Sequence, residues 1–173
     1  MKRSQSLTSQ ALKLATACAL AAVLSACGGD AAPAAEGETA AAASEEPAII
    51  GERQKNFKAI GKAFKAIRTQ LEGDAPDFAV IETSAIDLNE AAMKIDGYFP
   101  EGTSVEDGYD TEALPTIWEK PEEFAKAHQM LVDASAEMVT IAQAGDAAAV
   151  GAQVGAVGKT CKNCHDNFRV DDD

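Results

Sequence analysis

The stretch Val150-Gly151-Ala152-Gln153-Val154-Gly155-Ala156-Val157-Gly158-Lys159-Thr160-Cys161-Lys162-Asn163-Cys164-His165-Asp166-Asn167-Phe168 carries a regular apolar pattern. Its larger apolar residues, Val150, Val154, Val157, Cys161, Cys164 and Phe168, step by four and three in alternation. That is the period of one face of an α-helix. Both cysteines fall on the apolar seam, so whatever they hold is directed into a helical core and not toward solvent.

Three more segments carry the same period. Phe57, Ile60, Phe64, Ile67 and Leu71 form one seam. A second runs through Phe78, Ile81, Ala85, Leu88, Ala92, Ile95 and Phe99, and a third through Phe124, Ala127, Leu131, Ala134, Met138 and Ile141. No segment of similar length alternates with the period of a strand. Gly73-Asp74-Ala75-Pro76 and Gly145-Asp146 punctuate two short connections. A long polar connection, from Gly97 to Pro115, separates the middle pair. The expectation is an all-α domain, an antiparallel four-helix bundle with one crossover connection, beginning near Ala48 and running to Asp173.

Cys161-Lys162-Asn163-Cys164-His165 is the attachment signature of a c-type haem. Two thiols three residues apart share a helical face and can reach one porphyrin edge. His165, four residues after Cys161, lies on the same side for ligating the iron. One covalently attached haem c is therefore expected, inside the bundle. A disulfide, a redox dithiol and half of a zinc site are the competing readings. Zinc needs further ligands, and the only other histidine is His128. A thioredoxin-type dithiol expects a βαβ context that is absent from the pattern. The eight residues after His165 contain no Met, so any second protein ligand to the iron would come from upstream.

The start of the chain reads as export apparatus. Lys2, Arg3 and Lys13 flank and precede an apolar run from Leu14 to Ala26, too short to span a membrane. It ends in Leu24-Ser25-Ala26-Cys27-Gly28-Gly29, which resembles the bacterial lipobox. Residues 1–26 are thus expected to be a lipoprotein signal peptide, with Cys27 lipidated. The resemblance to the usual sorting pattern, with Gly28 not Asp, implies the outer membrane. Cleavage near Ala31–Ala35, releasing a soluble periplasmic protein, is the alternative. Residues 27–47, rich in Ala, Glu and Pro, lack large apolar side chains and read as a flexible tether. The whole chain carries a formal charge of −13, and loss of the signal's three cations leaves −16. Such a charge argues against nucleic acid and against direct attraction to anionic lipid, leaving the lipid anchor as the only membrane attachment.

Five stretches stand in order along the domain: Arg53-x-x-x-Phe57-Lys58-x-Ile60-Gly61, Phe99-Pro100-x-Gly102-Thr103, Ile117-Trp118, Ala144-Gly145-Asp146 and Cys161-x-x-Cys164-His165-x-x-Phe168-Arg169. Through them the chain from Arg53 to Arg169 resembles cytochrome c′, the class II c-type cytochromes. Phe168 departs from it, since many members have Tyr there. The resemblance implies Arg53 beside the haem propionates and Arg169 on the proximal side next to the ligating His165; a cation capping the helix C-terminus is the other reading of Arg169. It also leaves a homodimer open, because members often pair through their first two helices.

Position 57 is the informative contrast. In six-coordinate relatives of this fold a Met ligates the iron from the corresponding place, and Phe has no lone pair to donate. The expectation is a five-coordinate iron on His165, with Phe57 as a steric gate over the distal face and part of the first seam. Such an apolar pocket suits NO and CO better than O₂, which needs a hydrogen-bond donor. The expected function is periplasmic gas binding, for NO capture or resistance. An electron-transfer cytochrome with a six-coordinate low-spin haem and periplasmic redox partners is the alternative. Met93, Met130, Met138 and His128 are the competing ligands; Met138, on the third seam, is the foremost of the methionines and reads first as a core filler, and His128 reads first as a partly exposed helical residue. No distal acid–base pair is visible, so an enzyme, such as an NO reductase, is not expected.

Overall fold

The structure, a computed structural model, describes residues 46–171, within the compact unit 42–173. The expected signal peptide, Cys27 and all but the last two tether residues lie outside the described residues. The helices are α1 (Ala48–Gln70), α2 (Phe78–Met93), a four-residue α3 (Thr116–Glu119), α4 (Pro121–Ala144) and α5 (Ala147–Phe168). The four long ones form the expected bundle.

Helix ends are set by local chemistry. Asp77 caps α2 by accepting from Ala79 N at 3.0 Å and Val80 N at 3.3 Å, and Asp146 caps α5 through Ala148 N at 2.9 Å and Ala149 N at 3.2 Å. These carboxylates satisfy amides that have no partner within the first turn. Pro121 begins α4, where its missing N–H costs nothing, and Gly145 ends it at φ +71°, a conformation that suits glycine.

The second seam extends less far as α-helix than its spacing predicts. α2 stops at Met93, and Ile95–Tyr98 form a 3₁₀ turn. Phe99 follows in an irregular conformation before Pro100, which disfavours helix in the residue preceding it. Ile95 is still buried, so the seam continues into the core after the helix has ended.

The polar cross-links show how the helices run. Asn56 Nδ2 of α1 donates to Ala91 O at 2.9 Å, and His128 Nε2 of α4 donates to Ala92 O at 2.9 Å. Both carbonyls lie in the last turn of α2, where the helix leaves acceptors over. Farther along, Asn89 donates to Val132 O and Ser135 Oγ, and Gln143 donates to Glu82. Rising numbers on α2 thus meet falling numbers on α4, an antiparallel pair. Gln153 Nε2 donates to Ala134 O at 2.8 Å between α4 and α5. The core between them is aliphatic, with Ile67, Ile81, Leu88, Met138, Val150 and Val157 fully enclosed.

One edge of the bundle differs. α1 packs along α2, α2 along α4, and α4 along α5, but α1 and α5 touch only sparsely. The ring of four helices has an open side between its first and last members.

Candidate haem site

That open side carries the attachment motif. Cys161, Cys164 and His165 occupy the last two turns of α5 and are all half-buried. The two cysteines are free thiols packed against the core cluster, as their seam positions predict. Burial pushes the Cys161 thiol up from its ordinary value, and pushes Cys164 up to about 11. Both sulfurs are therefore protonated at neutral pH and behave as small apolar groups. Among the described residues no third or fourth His, Cys, Asp or Glu converges with them to hold a metal ion.

Glycines shape the opposing walls. A Cβ built on Gly158 of α5 would lie 4.0 Å from Phe64 Cζ of α1, so position 158 faces α1. Cβ atoms at Gly61, Gly151 and Gly155 would meet nothing within 4 Å. Gly151, Gly155 and Gly158 recur at helical spacing and keep this face of α5 free of side chains. Seven residues make nearly two turns. Phe57 precedes Phe64 by seven and His165 follows Gly158 by seven, and α1 and α5 run antiparallel. Phe57 and His165 therefore lie at the same level on opposite walls. A flat apolar group tied to α5 through two thiols, with an imidazole on one face and a phenyl ring on the other, fits this arrangement.

An aromatic chain closes the end of the bundle beside the motif. Phe57 meets Phe99 edge-on at 6.2 Å, Phe99 meets Phe124 at 4.9 Å, and Phe124 meets Phe168 at 5.3 Å. Trp118 of α3 joins at 6.3 Å from Phe99 and donates its Nε1–H to Phe99 O at 3.1 Å. Phe99 is the hub, a role hidden in the sequence because these contacts are long-range. The Phe168 side chain is held by its edge-on packing against Phe124.

Arg53 is almost fully buried, at 3% exposure. Its guanidinium donates to Thr103 Oγ1 at 3.1 Å, Thr103 O at 2.8 Å and Thr111 Oγ1 at 2.7 Å, and lies 4.8 Å from the centre of the Phe99 ring. Burial draws its pKa down, partly offset by Glu46. Arg53 was expected beside the haem propionates; what the structure shows is its guanidinium holding the long connection against α1. Arg169 ends α5: its amide donates to His165 O at 3.1 Å, and its Nε lies 3.7 Å from Glu112. An isolated antiparallel bridge joins Arg169 to Ala113, with Leu114 N donating to Phe168 O and Val170 N to Glu112 O. The connection is thereby pinned at both walls of the cleft.

The competing ligands are engaged elsewhere. Met138 is completely enclosed in the core. His128 directs Nε2 at the end of α2. Met93 and Met130 are exposed.

Comparison with known proteins agrees with this geometry. The family model described as Cytochrome C' matches residues 48–169. A cytochrome c' of Rhodospirillum rubrum is 36% identical over 140 residues, covering 77% of this chain and 89% of the relative. The solved structure of cytochrome c prime from Shewanella frigidimarina is 32% identical, with a TM-score of 0.66 over 73% of this chain and 98% of that one. A nitric oxide complex of a single-substitution mutant of cytochrome c prime from Alcaligenes xylosoxidans is 28% identical, with a TM-score of 0.63 over 71% and 94%. The open α1–α5 edge, the thiol pair on α5 and the match along nearly the whole bundle have one common explanation: the chain belongs to the cytochrome c′ family, which binds a single covalently attached haem c.

Proposed function

We propose that this protein is an exported, lipid-anchored gas-binding haem protein that captures NO, and that it is not a catalyst. Cys161 and Cys164 would hold the haem through thioethers, and His165 would ligate the iron from one face. The haem so held supplies an iron able to bind a diatomic gas on its other face. The observation that carries the reading is Phe57, a side chain without a lone pair on the wall opposite His165. Phe57 keeps that wall dry and apolar, which favours NO and CO over O₂. Its ring leans edge-on against Phe99, so displacing it costs packing energy, about 1 kcal/mol. Arg53 is within reach of the same end of the cleft and would pair with propionate carboxylates while retaining the connection. Arg169 would shape the proximal side next to His165. The nitric oxide complex of a relative supports the choice of gas. Cys27 would carry the acyl anchor on the periplasmic side of the outer membrane.

The test is the optical spectrum of the reduced protein with and without NO. A high-spin spectrum that changes on adding NO is expected. A low-spin six-coordinate spectrum without added ligand would overturn the reading in favour of an electron-transfer cytochrome. A Phe57→Met variant should shift the spectrum toward low spin, because the thioether then meets the face opposite His165.

A further inference from the structure

The charge on this molecule is unevenly placed. From Glu52 to Glu72 there are six basic residues against two acidic ones, whereas from Gly73 onward there are six against 21. Arg53 is used internally; the other five, Lys55, Lys58, Lys62, Lys65 and Arg68, are exposed along α1. Helical rise spreads them over about 20 Å. Among the described residues only Lys55 of these five makes an ion pair, with Glu52 at 2.8 Å. Arg68 lies in the last turn of α1, where a cation suits the helix C-terminus, but no local need of the helix accounts for the three unpaired lysines Lys58, Lys62 and Lys65.

The stripe also borders the cleft. Gly61, Phe64, Lys65, Arg68, Thr69 and Glu72 line one concavity of about 280 Å³ on α1, and Phe64 is the residue that faces Gly158 of α5. Lys162 lies one turn beyond Gly158 on the opposite rim, paired with Asp166 at 2.7 Å. Cations therefore flank the opening through which a group held by Cys161 and Cys164 would be nearest to solvent.

We infer that the α1 stripe is a docking surface for an acidic electron-donor protein that delivers one electron to the haem. This inference rests on the haem reading above. One electron leaves the reduced partner and one is gained by the ferric haem, with no bond made or broken. An acidic protein patch fits better than an anionic bilayer. The stripe is narrow, and the neighbouring α2 exposes Asp87 and Glu90, which an extended negative plane would also meet. A protein partner can match the stripe alone, and the acidic remainder of the surface repels it from wrong orientations.

The test is carbodiimide cross-linking of the haem-loaded protein to plastocyanin, a small acidic copper protein, with peptide mapping of the products. Cross-links should concentrate on Lys58, Lys62 and Lys65, and their yield should fall about tenfold between low and physiological salt. The triple variant Lys58→Glu, Lys65→Glu, Arg68→Glu should abolish them. A Lys94→Glu, Lys120→Glu control should not. Products absent, or spread evenly over Lys94, Lys120 and Lys126, overturn the inference. So does binding of the α1 lysines to phosphatidylglycerol vesicles without plastocyanin cross-links, which would give the stripe to a lipid surface. Haem content read from the absorption spectrum is independent of these results, so a failure of the haem reading shows separately.

Discussion

Arg53 illustrates how one side chain can serve a site and its scaffold. A guanidinium offers five donors in a fixed plane, and here three hydrogen bonds reach the long connection while the flat face lies against Phe99. Removing the charge leaves Thr103 O buried without that donor. Arg53→Met should therefore destabilise the haem-loaded protein by about 3 kcal/mol, measured by urea denaturation. If the loss were under about 1 kcal/mol, the guanidinium would not be holding the connection. Arg53 was legible in the sequence as a family position, but its partners Thr103 and Thr111, some 50 to 58 residues away, were not. Spacing identifies residues that share a face. It does not identify which loop folds back over that face.

At the scale of elements, caps and glycines carry most of the information. Asp146 satisfies two amides at the start of α5, the helix that bears the thiols. Asp146→Ala should cost about 1 kcal/mol, read as a fall of about 4 °C in the melting temperature. An unchanged melting temperature would mean the first turn finds other partners. Gly158 tests the cleft. Its Cβ would only touch Phe64, so Ala at this position is tolerable, whereas Gly158→Leu should fill the space between α1 and α5. Helical content by circular dichroism should persist while haem incorporation falls severalfold. Full incorporation would place the haem elsewhere. The four seams predicted these helices well. They failed past Met93, where Gly97 and Pro100 end the α-helix although apolar spacing continues to Phe99. Periodicity reports burial, and a buried 3₁₀ turn keeps its apolar residues.

For the whole molecule, the decisive quantities are charge and attachment. A formal charge of −13 keeps most of the surface away from other anions. No helix among the described residues is long and apolar enough to cross a membrane. Attachment would then depend on Cys27, since acyl chains act through their buried CH₂ groups. Cys27→Ser should move the protein from the membrane pellet to the soluble periplasmic extract on cell fractionation. Retention of the variant in the pellet would exclude acylation as the anchor.

Residue identity and local spacing suffice for the helical class, the haem motif and the absence of a lone-pair donor at position 57. Only packing brings about the separation of α1 and α5, the shared level of Phe57 and His165, and the contact of Phe99 with three aromatic rings and Arg53. Those facts depend on contacts between distant segments. A helix period fixes which way a side chain points from its own axis, but only packing fixes what it meets.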